Sequence, residues 1–547
     1  MHNFTIKGQL VDVFQRRIYP AAITVDNGKI TSIEEVDDAP SQHIMPGFVD
    51  AHVHIESSML VPTAFARLAV VHGTVATVSD PHEIANVCGT AGVQYMIDDS
   101  KLSPFKFFFG APSCVPATFF ETAGAHIDAA ATETLLANPD IWYLAEMMNF
   151  PGVLHKDEEV MAKIAAAQRA DKPVDGHAPG LRGEDAAAYA AAGITTDHEC
   201  FTIGEAQDKL KAGMKIIIRE GSAARNFDEL APLFETHADR LMFCSDDKHP
   251  DELVVSHINA LVKRALAKGY DLYDVLRAAS VNPVEHYNIP VGLLRTGDAA
   301  DFIVVNNLDD FAIQQTYING RSVAENGRSL LEAVEIKPIN NFNITHKQVS
   351  DFRVEADTEN PEIRVIEALD GQLVTNEIMA AGKTENGCLV SDTENDILKI
   401  AVVNRYDDSA PVSVAFIKNI GIKAGALAST VAHDCHNIIA VGANDEALCK
   451  AVNALVDCKG GVAVVDEHND TSILPLPIAG LMADTDGYTV AERYSTIDKK
   501  AKALGSRLRA PYMTLSFMAL LVIPALKLSD KGLFNGGKFE FTPVIVS

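Results

Sequence analysis

Short apolar runs alternate with alanine-rich segments through the middle of the chain, roughly from residue 46 to residue 290. Segments such as KDEEVMAKIAAAQRA are rich in strong helix formers, whereas the apolar runs have the length of strands. The strand candidates are GFVDAHVH, GTVATVSDPHE, KFFFGAPS, IWYLAEMMNF, KPVDGHAPG, GITTDHEC, KIIIREGSAAR and RLMFCSDD. Strands that alternate with helices predict parallel βα units, and eight such strands are the number that closes a (β/α)8 barrel. The pattern therefore predicts an α/β barrel over residues 46–290.

Two β-rich segments flank this middle region. Residues 1–45 contain short alternating runs, and the Asp-Asn-Gly sequence at 26–28 between two of them is a strong hairpin signal. Residues 291–338 show a similar pattern of short alternating runs, and an Asn-Gly pair at 319–320 marks another turn. Because both segments have this strand-like pattern, we expect them to pair with each other across the middle region.

The last part of the chain, residues 339–547, has longer strands such as DILKIAVVNRY and VSVAFIKNIGI. A helix is predicted from Asp445, with Asn444 as its cap, and the mixture indicates a separate α+β domain. The longest apolar stretch, Met513 to Leu528, is shorter than the roughly 20 residues that span a bilayer, and Pro524 interrupts it. We expect this stretch to lie in a core and expect no membrane partner.

Size and charge narrow the class of protein further. A chain of 547 residues is too long for one hydrophobic core, so several domains are expected. The 46 basic and 74 acidic residues give a formal net charge of −28, which disfavours nucleic acid and anionic membranes as partners. The eight cysteines are scattered without a CxxC pair, and the start of the chain has no signal-peptide pattern. These features predict a cytoplasmic protein with reduced thiols.

The candidate chemistry begins with the pair His52 and His54 in MPGFVDAHVHIESS. With 18 histidines in the chain, chance alone gives roughly 0.6 such pairs, so the pattern by itself carries little information. Its placement carries more, because residues two apart on a strand face the same side and the C-terminal ends of barrel strands hold the chemistry of barrel enzymes.

The ends of other predicted strands also carry polar side chains. Glu146 is a carboxylate within the otherwise apolar run LAEMM, and Asp246 follows FCS. The full set at the strand ends is His52, His54, Glu146, His177, His198 and Asp246. Buried carboxylates need strong partners, and divalent cations supply them. One metal centre explains the six residues better than independent structural roles.

Other polar residues allow two interpretations. Glu56 and Ser57 either contact a substrate or open the next helix. The cluster Asp80, His82 and Glu83 either faces the barrel mouth or caps a helix, and the cluster His433, Asp434 and His436 either approaches the active site or is local structure. Asp247 is expected on the opposite face of the strand from Asp246, pointing away from the mouth.

The order of these motifs resembles a known family. PGFVDAHVHIESSM, AEMMNFPGV, DGHAPG, TDHE and CSDDKHP, with a β-sandwich split around the barrel, are similar to the amidohydrolase superfamily and, within it, to the adenine deaminases of the bacterial type. TVAHDCHNIIAVG and LPLPIAGLMAD extend the resemblance into the C-terminal domain. Many two-metal relatives carry a carboxylated lysine where Glu146 stands here. The PCxxC motif of zinc deaminases acting on nucleic acids is missing.

The resemblance implies a reaction and its cofactors. It implies hydrolytic deamination of adenine to hypoxanthine and ammonia by a metal-activated hydroxide, in purine salvage, by a homodimer. His52, His54 and Asp246 would hold one divalent ion, His177 and His198 a second, and Glu146 would bridge them. Manganese or iron is expected, with zinc as the alternative. Asp246 would also transfer the proton, and Glu56 and Ser57 would contact the purine.

Two alternatives remain open at this point. Another binuclear amidohydrolase, acting on a cyclic amide or a related aminopurine, would have the same metal ligands and a different pocket. A non-catalytic scaffold with this fold is the second alternative, but such proteins typically lose ligands, and all six are present here.

Overall fold

Four strands open the chain in the computed structural model, which describes residues 3–222 and 224–546. They are β1 (Phe4–Asp12), β2 (Arg17–Asp26), β3 (Lys29–Glu35) and β4 (His43–Pro46). The two residues that join β2 to β3, Asn27 and Gly28, have φ angles of 51° and 80°. This left-handed pair gives the tight turn that Asn-Gly favours in antiparallel hairpins, so the predicted hairpin is confirmed.

Parallel strands and helices then alternate. The described residues between 48 and 244 contain the parallel strands β5 (Phe48–Val53), β6 (Thr74–Ser79), β7 (Lys106–Ala111), β8 (Ile141–Met147), β9 (Val174–Gly176), β10 (Thr196–Asp197), β11 (Lys215–Arg219) and β12 (Leu241–Cys244). β5 to β9 form one sheet and β10 to β12 another. Parallel bridges of Val174 with Ile194 and of Val53 with Asp246 link the two sheets, so the strands curl around a shared interior. Each predicted strand run contains one of these strands.

Helices connect and follow the parallel strands. They are α1 (Pro62–Ala69), α2 (His82–Ser100), α3 (Ala129–Leu136), α4 (Phe150–Leu154), α5 (Glu158–Arg169), α6 (Gly183–Ala191), α7 (Ile203–Lys211), α8 (Phe227–Leu230), α9 (Phe234–His237), α10 (Pro250–Leu253), α11 (Ile258–Ala267), α12 (Leu272–Leu276) and α13 (Asn282–Tyr287). The side chain of Asp157 accepts from the Val160 amide before α5, and that of Thr202 accepts from the Glu205 amide before α7. These caps satisfy amides that the first helical turn leaves unpaired.

The second β-rich segment returns to the first. It contains β13 (Phe302–Val305), β14 (Ile313–Ile318), β15 (Arg321–Glu325) and β16 (Arg328–Ser329). β13 runs antiparallel to β4, with Phe302 opposite Pro46. Among the described residues the strands follow the order β16-β15-β14-β13-β4-β1-β2-β3. The expected pairing of the two flanking segments is therefore confirmed.

The C-terminal part builds further sheets. Its strands are β17 (Val354–Glu355), β18 (Glu362–Ala368), β19 (Thr375–Ala381), β20 (Lys383–Glu385), β21 (Cys388–Val390), β22 (Ile397–Val403), β23 (Ser413–Lys418), β24 (Ala426–Ser429), β25 (Ile438–Gly442), β26 (Gly461–Val465), β27 (Thr471–Pro475), β28 (Leu526–Ser529), β29 (Gly532–Asn535) and β30 (Glu540–Phe541). Its helices are α14 (Asp445–Cys458), α15 (Gly487–Ala503) and α16 (Pro511–Ser516). The predicted cap of α14 is confirmed, because the Asn444 side chain accepts from the Ala447 amide.

The loop between β24 and β25 and the end of α16 face the parallel strands. The His433 amide donates to the carbonyl oxygen of Ser516, which ties the loop to α16. Met59 and Ala483 are joined by a backbone hydrogen bond, which fastens the C-terminal part to the connection after β5. The apolar stretch from Met513 contributes to α16 and β28 and is mostly buried. Within the described residues, every helix is too short or too polar to cross a membrane.

Candidate metal centre

His52 and His54 lie side by side at the end of β5. Both side chains are buried, and their Nε2 atoms are 3.1 Å apart because residues two apart on a strand face the same side. Nδ1 of His54 lies 3.2 Å from the carbonyl oxygen of Asp80. A carbonyl oxygen only accepts, so this ring carries a proton on Nδ1 and turns Nε2 toward the interior.

The Glu146 carboxylate, from the end of β8, lies among histidines of three other strands. Its Oε2 is 2.8 Å from Nδ1 of His177 and 3.1 Å from Nε2 of His198, and its Oε1 is 3.4 Å from Nε2 of His54. Burial opposes ionisation of this carboxyl, but the imidazoles, His177 foremost, outweigh it and hold the pKa of Glu146 well below its usual range. The carboxylate is thus charged and central.

Asp246 reaches the same interior from the segment after β12. Its Oδ1 lies 3.5 Å from Nε2 of His52 and 3.3 Å from Nε2 of His54. Its Oδ2 accepts a hydrogen bond of 2.5 Å from Arg219. Burial opposes ionisation here too, but the Arg219 guanidinium and the two histidines hold the pKa of the Asp246 carboxyl well below its usual range.

These side chains have the donor chemistry of a divalent metal site. The ligand atoms of His52, His54 and Asp246 lie within 4.8 Å of one another, and so do those of His52, Glu146 and His198. Two Nε2 atoms 3.1 Å apart are favourable only if a proton or a cation lies between them, since neutral lone pairs repel. Buried imidazoles and carboxylates without thiolates suit manganese, iron or zinc. The fold thus brings all six predicted ligands together in a set that fits such ions.

The expected orientation of Asp247 is wrong. Its side chain is buried beside that of Asp246, and its Oδ1 lies 2.6 Å from the Ser57 hydroxyl oxygen. The strand alternation on which the expectation rested stops at Cys244, where β12 ends. Asp246 has a φ of 53°, so the left-handed backbone turns both carboxylates toward the interior.

Glu56 and Ser57 lie directly behind this interior, in a short 3-10 turn after His54. The Oε1 of Glu56 accepts from the Ile84 amide, and its buried Oε2 has no hydrogen-bond partner. Burial raises the pKa of Glu56 to about 7. The Ser57 hydroxyl oxygen lies 2.7 Å from Glu83 Oε1 as well as close to Asp247. A hydroxyl has one proton, so one of the two carboxyls donates to it.

Arg219 and Glu199 are functional candidates that the sequence reasoning missed. Arg219, at the end of β11, is buried and forms a two-pronged ion pair with Glu199 in addition to its bond to Asp246. Glu199 also lies 3.6 Å from Nδ1 of His177 and 3.5 Å from Nε2 of His198. The sequence contains features that could have identified both residues: Arg219 directly follows the run KIII, and Glu199 directly follows His198.

Replacing Arg219 with Met is expected to destabilise the protein by about 3–5 kcal/mol, because it leaves two buried carboxylates without their cation. Thermal or urea unfolding of the metal-free protein measures the change. Arg225→Met is the matched control, since the partly exposed Arg225 pairs with Glu252 near the surface and should cost about 1 kcal/mol or less. Equal losses in the two variants would contradict a structural contribution from the buried ion pair.

The cluster of Asp80, His82 and Glu83 lies against the cluster of His433, Asp434 and His436, beside the six predicted ligands. Nδ1 of His82 lies 3.5 Å from Glu146 Oε1, and its Nε2 lies 3.6 Å from Oδ1 of Asp434. Nε2 of His436 lies 3.5 Å from Oε2 of Glu83. Of the alternatives that the sequence left open for these clusters, the structure therefore favours proximity to the site.

A small cavity opens next to these groups. Its walls combine the ends of the parallel strands with the C-terminal part of the chain. The lining residues from the strand side include Glu146 and Asp246, and those from the C-terminal side include Asp434 and Phe517. Asp247 also lines it, whereas Glu56 and Ser57 are not among the described wall residues.

The chain is similar to two protein-family models and to named relatives along nearly its whole length. Residues 43–323 match the amidohydrolase family, and residues 372–540 match the adenine deaminase C-terminal domain. An adenine deaminase of Salinibacter ruber is 56% identical over 540 residues, which cover 98% of each chain. Adenine deaminases of Sulfurovum sp. and Methanosarcina mazei are 55% and 53% identical, again with 98% of each chain covered.

Proposed function

The chain belongs to the adenine deaminase family of amidohydrolases, and from this membership we propose how its buried centre works. It hydrolyses adenine to hypoxanthine and ammonia. The observation that carries this function is similarity to adenine deaminases along nearly the whole chain, including the C-terminal domain. The alternative hypothesis of a cyclic-amide hydrolase is less well supported. The similarity to adenine deaminases extends beyond the metal ligands to nearly the whole chain.

We propose that the centre holds two divalent ions. His52, His54 and Asp246 would hold one ion, His177 and His198 would hold the other, and Glu146 would serve both. The approach of Glu146 to histidines from both groups supports the bridge. Manganese or iron is proposed, with zinc as the alternative. When bound, such ions lower the pKa of water toward neutrality and so make hydroxide available near pH 7.

Asp246 is proposed as the group that moves the proton. Its carboxylate accepts a proton from the attacking water and delivers it to the amino nitrogen of adenine. A bond forms between the water oxygen and C6, the bond from C6 to the amino nitrogen breaks, and ammonia leaves. The hydrogen bond from Arg219 fixes Oδ2 of Asp246 and so holds Oδ1 in the interior beside His52 and His54, where the water would react.

Glu56 and Ser57 are proposed to serve the purine. The buried Oε2 of Glu56 has no partner, and a carboxyl with a pKa of about 7 can either donate to or accept from a ring nitrogen. Ser57 hydrogen-bonds Asp247, which lines the cavity, so it orients that carboxyl toward the substrate.

The architecture is proposed to be the divided one expected from sequence. The parallel strands close as a (β/α)8 barrel over residues 46–290, segments 1–45 and 291–338 form the β-sandwich, and residues 339–547 form the C-terminal α+β domain. The shared sheet of β1 to β4 and β13 to β16 supports this division. A cytoplasmic homodimer is also proposed, and light scattering of the purified protein tests its mass.

The function is tested by incubating manganese-loaded protein with adenine, other aminopurines and cyclic amides. Hypoxanthine and ammonia should form from adenine in preference to the other compounds. Turnover of a cyclic amide without turnover of adenine would support the second amidohydrolase activity instead. Inactivity toward the whole panel, in protein shown to contain metal, would support the scaffold alternative.

A further inference from the structure

The C-terminal part of the chain supplies one wall of the cavity beside the proposed metal centre. That wall includes Asp434 and Phe517, opposite Glu146 and Asp246. All four side chains are at most 4% exposed, so a ligand held between them is enclosed. A ligand in this cavity would therefore contact the C-terminal part of the chain as well as the strand ends.

Asp434 lines this cavity and has a carboxylate oxygen without a hydrogen-bond partner. Its Oδ1 lies 3.6 Å from Nε2 of His82, and its buried Oδ2 has no partner. Burial opposes ionisation, but His82 and then His433 hold the pKa of the Asp434 carboxyl below its usual value, so it is charged. A buried charged oxygen without a donor is unfavourable, and a bound ligand with an N–H group would supply the missing hydrogen bond.

His436, two residues after Asp434, faces a different carboxyl group. Nδ1 of His436 accepts from the Ala432 amide, so this neutral ring carries its proton on Nε2. That Nε2 lies 3.5 Å from Glu83 Oε2 and faces it as a donor. Since its lone pair is not available, His436 is no metal ligand in this tautomer. Among the described residues that line the cavity, Asp434 has a buried carboxylate oxygen without a hydrogen-bond partner.

Apolar and aromatic groups flank the same space. The His433 ring stacks on Phe517, with centroids 4.4 Å apart and an interplanar angle of 15°. Leu373 and Leu520 complete this side of the wall. A charged acceptor surrounded by flat and apolar groups suits a flat heteroaromatic ring that carries one N–H at its edge.

We propose that Asp434 is a specificity-determining residue that accepts a hydrogen bond from the imidazole-ring N–H of a free purine base. This inference rests on the proposed function and extends it to the C-terminal domain, which then selects the substrate class. Free aminopurines carry that N–H, whereas nucleosides have a sugar in its place. With a nucleoside, the charged acceptor would stay unpaired.

The test compares adenine with thieno[2,3-d]pyrimidin-4-amine, a flat isostere that keeps the reacting amine but lacks the imidazole N–H. Manganese-loaded wild type, Asp434→Asn and Asp434→Leu are compared by kcat/KM for adenine and by the Ki of the isostere against adenine. Asp434→Leu should lower kcat/KM for adenine by about 10²–10³-fold, and Asp434→Asn, which keeps an acceptor oxygen, should lose less. The preference for adenine over the isostere should fall at least about tenfold in Asp434→Leu.

Asp530→Leu is the matched control. Asp530 is also a buried carboxylate of the C-terminal part, but both of its oxygens are bonded, to the Thr122 amide and to Asn404. This substitution should affect stability and leave the preference unchanged. Metal content and thermal unfolding of each variant separate a binding defect from misfolding. An unchanged preference in both Asp434 variants, or no binding of the isostere to Asp434→Leu, would overturn the inference. Failure of wild type to release ammonia from adenine would instead contradict the function itself.

Discussion

Protein with Glu146 replaced by Gln is expected to retain fewer than one divalent ion per chain after reconstitution, where the wild type retains two. The amide keeps the shape of the side chain but removes the charge that lies among His54, His177 and His198. Groups that only support metal ligands typically cost 10–100-fold in metal affinity when they are replaced, and a shared ligand should cost more. Ammonia release from adenine should fall by about 10³-fold or more. Elemental analysis of dialysed protein and an ammonia assay measure the two effects.

Glu121→Gln is the control for this experiment. Glu121 is equally buried, accepts from the Thr118 hydroxyl, and burial raises the pKa of its carboxyl to about 8, so it is mostly uncharged at neutral pH. A neutral amide should replace it without loss of metal. Two ions per chain in the Glu146 variant would exclude a bridging role for that residue.

Asp246→Asn is expected to keep both ions and to bind adenine while its kcat falls by about 10³–10⁴-fold. General acid–base transfer is typically worth 10²–10⁴-fold, and the upper end applies because this residue also contacts His52 and His54. The amide keeps a carbonyl oxygen for an ion but cannot accept the proton. Steady-state kinetics and elemental analysis on the same preparation separate the loss of turnover from a loss of metal.

Asp251→Asn is the control for the proton-transfer prediction, because this half-buried residue lies outside the walls of the cavity. Asp247 is unsuitable as a control, since its side chain lines the cavity and hydrogen-bonds Ser57. We expect Asp247→Asn to impair adenine binding more than chemistry. If Asp247→Asn abolished turnover and Asp246→Asn did not, Asp247 would be the proton-transfer group.

Much of the fold follows from local sequence. Alternation of apolar runs with helix formers predicts the parallel strands, and the Asn27-Gly28 pair predicts the hairpin between β2 and β3, because both depend on neighbouring residues. The six proposed metal ligands could also be predicted from the sequence. Each one lies at or near the end of a predicted strand, and parallel strands that curl around one interior bring their ends together.

The alternation of apolar and polar residues did not predict a local irregularity of the backbone after β12. Strand alternation fails after Cys244, where the left-handed conformation of Asp246 turns it and Asp247 toward the same interior. A period of two holds only while the strand continues, and nothing in CSDD marks its last residue.

The sequence also did not predict which distant residues pair with each other in the folded protein. Arg219 and Glu199 form their ion pair between neighbouring strands, and Asp434 meets His82 from a loop more than half the chain away. The sequence by itself determined which elements form and which polar residues stand at their ends, because those features depend on local periodicity and on charge among apolar neighbours. Only the tertiary structure decided which side chains share a buried space, because packing of distant segments sets those distances and each buried charge is tolerated only where another segment brings its partner.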